Sequence, residues 1–133
     1  MVREVFNNIE FYKKALDGLS LRNTAIAQNL ANANTPNYKR KIVVFEDQLK
    51  AAAEKRRLSM KTTHEKHIDK RKVNFQPKVL EDKSLSNRID GNNVNIDTEA
   101  AELAKNQIMY NAMINQVIGE FEKIKNVITE GSK

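Results

Sequence analysis

His64 and His67 are the first residues in this 133-residue sequence to test for chemistry. A zinc-binding protease helix sets its two histidines four apart, with a glutamate after the first. In His64-Glu65-Lys66-His67 they stand three apart, with no third ligand in view. Asp97, Glu99 and Glu102 are close enough to imitate a carboxylate pair, yet acidic groups in the first turn of a helix are explained by its dipole. The serines (20, 59, 84, 86 and 132) sit in no nucleophile elbow. Gly18, Gly91, Gly119 and Gly131 are isolated and make no phosphate loop. With no cysteine, disulfides, thiolate metal sites and cysteine nucleophiles are excluded together. The sequence therefore predicts no enzyme, no metal and no cofactor, and function has to be sought in how its helices present themselves.

Two long stretches carry that information. From Ile96 the apolar positions Ala100, Leu103, Tyr110, Ile114, Val117, Phe121, Ile124 and Ile128 follow in steps of four and three, with Gln107 in one polar slot. Near the other end Val2, Val5, Ile9, Tyr12, Leu16, Leu19, Ile26 and Leu30 keep the same rule, with Asn23 as the polar member. Such spacing puts each set on one narrow stripe of a helix that wants a partner. The fold expected is mainly α, the two terminal helices pairing as an antiparallel, coiled-coil-like hairpin. Residues 1–34 and 96–130 would form its arms, and 35–95 a basic, partly irregular and partly β middle segment. Ile114 and Phe121 are expected inside the pair, and Asn29, Asn32 and Met109 on surfaces facing other subunits.

The arms are nearly neutral, but Lys39–Arg88 carries 15 basic against 7 acidic residues. A basic segment suits an acidic partner, and a nucleic-acid-binding helical hairpin is one alternative reading. Phe45 and Phe75 are too few aromatics for a stacking platform, so no nucleic acid is expected. A coiled-coil export adaptor or chaperone is a further alternative. No run is long enough for a membrane span and no cleavable signal is visible, so no membrane insertion is expected. Within the middle, Ile42–Phe45 reads as a short β-branched run and Phe45–Arg57 as helical turns. Val73–Gln76 alternates as a strand, closed by Pro77, with Val79-Leu80 as its expected mate.

The first helix should stop near Ala33, because Asn32, Asn34 and Asn37 tolerate left-handed backbone and Pro36 restricts Thr35. Asn23, Thr24, Ala25, Ala27, Gln28, Asn29, Ala31 and Asn32 leave a surface short of charge, suited to close packing. The segment Leu21–Arg40, through Asn29, Asn32, Asn34, Thr35, Pro36 and Tyr38, resembles the N-terminal signature of the flagellar axial proteins of rod and hook. Their pattern ends a helix in Asn-x-Ala-Asn-x-x-Thr-x-Gly-Tyr. Asn37 stands where many members have glycine, and asparagine is the best substitute where φ is positive. Asp90-Gly91-Asn92-Asn93-Val94-Asn95-Ile96-Asp97-Thr98-Glu99, followed by Ala104-Lys105-Asn106-Gln107 and Tyr110, is similar to the proximal-rod members. Asp97 or Thr98 is expected to cap the second arm.

The resemblance implies a structural subunit of the bacterial proximal rod, in the basal body on the periplasmic side. It would be exported without a cleaved signal peptide and would assemble through its terminal helices. Implied partners are other rod subunits, copies of itself, and the motor-ring and export-gate end of the rod.

Overall fold

The computed structural model describes residues 2–57, 76–86 and 88–131. In chain order the elements are α1 (Val2–Ala31), β1 (Lys41–Val44), α2 (Glu46–Arg57), β2 (Lys78–Glu81) and α3 (Ile96–Glu130). The two terminal helices pack along each other, as the stripes predict. At about 1.5 Å per residue, α3 is a rod of roughly 50 Å. Good helix formers fill both arms, and side-chain chemistry sets the start of α3. Asn95, not Asp97 or Thr98, is the N-cap: its Oδ1 accepts from Asp97 N at 2.9 Å and Thr98 N at 3.3 Å. The extended backbone at Asn95 leaves its amide oxygen above the first free N–H groups, where a cap must sit.

β1 and β2 form a two-stranded antiparallel sheet, with Val43 opposite Val79 and Ile42 opposite Leu80. Val79-Leu80 thus meets the β-branched run some 37 residues upstream, while its expected pairing with Val73–Gln76 falls largely on residues outside those described. Val73, Asn74 and Phe75, like His64 and His67, lie outside the described residues.

The apolar core sits where the sheet meets the hairpin. Phe11, Leu19, Ala25, Val43 and Phe45 are buried there, flanked by Tyr12, Leu21, Leu49, Ala53, Met109, Tyr110 and Met113. Phe45 is fully buried, and Gly18 is its seat: a Cβ on Gly18 would lie 2.9 Å from the ring. The helix-propensity cost of a glycine, about 1 kcal/mol, is thus offset by packing that alanine would obstruct. Arg22 stacks its guanidinium over the same ring, 4.7 Å from the centroid. The same group donates to Glu46 Oε1 at 2.6 Å and to Val43 O at 3.0 Å.

The phase of the helix seam differs from the expected one by a single row in each arm. Tyr12, Leu19 and Ile26 in α1, and Leu103, Tyr110, Val117 and Ile124 in α3, are all buried or half-buried. The second row of the contact is polar. In α1 it runs Asn8, Ala15, Arg22, Asn29; in α3 it runs Glu99, Asn106, Met113, Glu120. Hydrogen bonds join these rows: Asn8 Nδ2 to Glu120 Oε1 at 3.1 Å, Asn29 Nδ2 to Glu99 Oε2 at 3.0 Å, and Asn106 Nδ2 to Leu19 O at 3.0 Å. Asn23 and Gln107, expected within the seam, are exposed, as is Phe121 at 54%. Ile9, Leu16, Leu30 and Ile114 are half-buried at the edge. An apolar count cannot choose correctly when one of the two rows is built partly from amides and carboxylates that bond across the pair.

Candidate assembly interface and the clasp that holds it

A cluster of polar side chains ties the end of α1 to the start of α3. Asn29 is fully buried, and its amide treats Lys41 as a neighbouring strand would. Its Nδ2 donates to Lys41 O at 2.9 Å, and its Oδ1 accepts from Lys41 N at 2.8 Å. With Arg22 on Val43 O, this closes the edge of β1 that β2 leaves open. Tyr38 Oη also donates to Asn29 Oδ1, at 3.2 Å. Burial, followed by the charges of Glu99 and Glu81, pushes the Tyr38 phenol above its ordinary pKa. Glu99, also fully buried, accepts from Asn29 on one oxygen and from the Arg40 guanidinium on the other. A buried carboxylate is tolerable only with this kind of complete pairing.

Asn92 completes the join. Its Nδ2 reaches Asn32 O at 2.9 Å, Ala33 O at 3.1 Å and Thr35 O at 2.9 Å. Two amide protons are shared among three carbonyls just past the end of α1, of which Asn32 O and Thr35 O also accept a backbone N–H. Arg88 Nη1 adds a bond to Ala33 O at 3.1 Å, while Asn92 Oδ1 accepts from Val94 N at 2.8 Å. The two backbone turns interlock. Asn37 has φ of 60° and Gly91 of 73°, and Asn37 N donates to Asp90 O at 2.8 Å. A Cβ on Gly91 would stand 2.8 Å from Asn37 Oδ1, so both the left-handed backbone and the close approach require glycine there. The Asn92 backbone N–H holds the Asp90 carboxyl below its ordinary pKa.

Outside this clasp the hairpin leaves apolar surface uncovered. The polar rows bond each other along one flank, so the apolar rows Ile9–Leu16–Leu30 and Ile114–Phe121–Ile128 border the other. Phe121, Ile118 and Ile128 are at least half exposed on α3, as are Ile96 and Ile108. No group of ligating side chains that could hold a metal occurs among the described residues. No described helix is long and apolar enough to cross a membrane.

No family model matches the sequence. Individual relatives do. Over 123 residues, 92% of this chain and 94% of the other, it is 35% identical to the flagellar basal body rod protein FlgB of Bacillus subtilis. The FlgB of Borreliella burgdorferi is 36% identical over 91% of this chain and 95% of its own length. That of Aquifex aeolicus is 32% identical over 94% and 95%. The chain belongs to the FlgB family of flagellar basal body rod proteins.

The clasp gives the FlgB-like motifs a physical role. Asn29, Asn32, Gly91 and Asn92 join the two sides of the hairpin within one chain, and Tyr38 supports Asn29. Asn29, expected on a surface facing other subunits, is fully buried in the single chain and bonded on both amide atoms. Met109 packs against the core, and Asn106 is buried on Leu19 O. Asn34, Thr35 and Pro36 are exposed at the turn, and Asp97 is exposed in the first turn of α3. Sequence reasoning passed over Arg40 and read Glu99 only as a dipole complement. Their signal was faint: a basic residue just past the N-terminal motif and an acid just past the C-terminal one.

Proposed function

We propose that this chain is a structural subunit of the proximal rod that assembles with copies of itself and with other axial proteins through the outer flank of its terminal helices. The observation that carries the reading is the exposed apolar surface of α3, formed by Ile118, Phe121 and Ile128, on an arm held in place by a satisfied polar clasp. A head-to-tail contact along such a flank that fails to close into a ring propagates as a helical tube. On this reading the subunit lies on the periplasmic side of the basal body and reaches it without a cleaved leader. The basic middle segment lies further from the tube axis and faces the motor-ring end or other rod proteins.

The test separates folding from assembly. In Phe121→Glu, a charge replaces a ring that the single chain leaves exposed. The purified variant should keep wild-type helix content and melting temperature, while cells carrying it should show motor rings without a rod and fail to swim. Normal rods in the variant, or normal rods after deletion of the gene, would refute the reading.

A further inference from the structure

Glu120 is the odd member of the hairpin. It is only 4% exposed, Oε1 accepts from Asn8 and from Lys123 at 2.9 Å, and Oε2 has no hydrogen-bond partner. The next residue, Phe121, is 54% exposed. A buried half-satisfied carboxylate beside an exposed phenyl ring is the reverse of what burial energetics favour. Asn106, two heptads toward the clasp on the same row, also has an unpartnered oxygen, Oδ1.

The geometry of a helix pair explains how this phase is held and what would release it. Glu99, Asn106, Met113 and Glu120 are spaced at strict sevens. Keeping such a row in contact requires the helices to supercoil, because a straight α-helix drifts by about 20° per heptad. The clasp pins the row at Glu99. Three heptads on, a straight helix would have drifted by about 60°, close to the roughly 50° separating adjacent rows of a seven-residue repeat. The sense of the drift carries Glu120 out of the contact and brings Phe121 and Ile128 into it, beside Val117 and Ile124. The sequence thus offers two seams that agree at the clasp and part company beyond Tyr110: 99–103–106–110–113–117–120–124 and 99–103–106–110–114–117–121–124–128.

We propose that the distal part of α3 is a two-phase element, in which one phase displays Phe121 and buries Glu120 and the other seals Phe121 against α1 and frees Glu120. The described phase is the one that offers its apolar row to a neighbour. The sealed phase protects a free subunit from premature association. That consequence rests on the assembly reading above, whereas the existence of two phases does not.

The chain has no tryptophan, so Phe121→Trp supplies a single reporter. Into this background Glu120→Lys is introduced to expel residue 120 from the seam and Glu120→Leu to retain it. Acrylamide quenching and emission wavelength are then read on purified monomer across a dilution series, with circular dichroism as a check on helix content. The expected result is several-fold weaker quenching and a blue shift in Glu120→Lys, independent of concentration, and strong quenching in Glu120→Leu. Should position 120 serve a single packing only, lysine there loosens the end and the tryptophan becomes more quenched. Equal or stronger quenching in Glu120→Lys therefore overturns the proposal, as does protection that disappears on dilution, which marks burial by a second copy. Both outcomes leave the Phe121→Glu test of rod assembly untouched, so the two readings fail separately.

Discussion

The two ends of the hairpin solve the same packing problem differently. At the clasp, Asn29, Asn92 and Glu99 are fully buried and every side-chain polar atom among them meets a partner. At the far end Glu120 is nearly as deeply buried with one oxygen unmatched, and the apolar residues around it face outward. Complete polar networks define one geometry, since any displacement leaves a buried group without a partner. An apolar row beside a half-satisfied acid specifies much less, and can be covered by whatever fits. One end of this molecule is a fixed frame, and the other leaves apolar residues open to solvent.

The contrast can be broken at its strongest point. Glu99→Ala should lower unfolding free energy by about 3–5 kcal/mol, since Arg40 and Asn29 are left buried or half-buried without their acceptor. Urea denaturation followed by helix circular dichroism measures it. Glu120→Met, at the other end, should stay within about 1 kcal/mol of wild type, because the unmatched oxygen leaves with the charge. A loss from Glu120→Met as large as that from Glu99→Ala would show that the ends do not differ.

The smallest effect lies between them, at Arg22 and Glu46. The Arg22 guanidinium, by its hydrogen bond first and its charge second, holds the Glu46 carboxyl below its ordinary value of 4.5. A lowered folded-state pKa contributes stability that is complete above the unfolded value and is lost as pH falls through the folded one. Glu46 is half exposed, so solvent screening keeps the contribution small. Melting temperatures of wild type and Glu46→Gln should differ slightly at pH 7 and converge below pH 4.5. A gap that persists at pH 3 would assign the effect to packing.

Much of the architecture was legible because periodicity reports it directly. Both arms, their antiparallel pairing, and the shared rows Tyr12–Leu19–Ile26 and Leu103–Tyr110–Val117–Ile124 stand out as apolar positions seven apart. The adjacent row was not legible, for a physical reason: Asn8, Arg22, Asn29, Glu99, Asn106 and Glu120 become core residues only through partners across the pair. Each looks solvated when read alone, and Ile9, Leu16, Ile114 and Phe121 look buried. The pairing of Val43 with Val79 was equally hidden, since two four-residue strands say nothing about which of several β-rich runs they will meet. The motifs around Asn29 and Asn92 drew attention to residues that the single chain buries and bonds internally, which no spacing rule could show.

The clasp also imposes an order in time. Asn29 finds Glu99 70 positions further along the chain, and Asn92 reaches back some 60 positions to Asn32. At a synthesis rate of about 5–20 residues per second, roughly 4–14 seconds separate the appearance of Asn29 from that of its acid. Throughout that interval α1 has a seam and no cover. The last third of the sequence is what ends that waiting, and until it arrives the chain stays open to handling by the machinery around it.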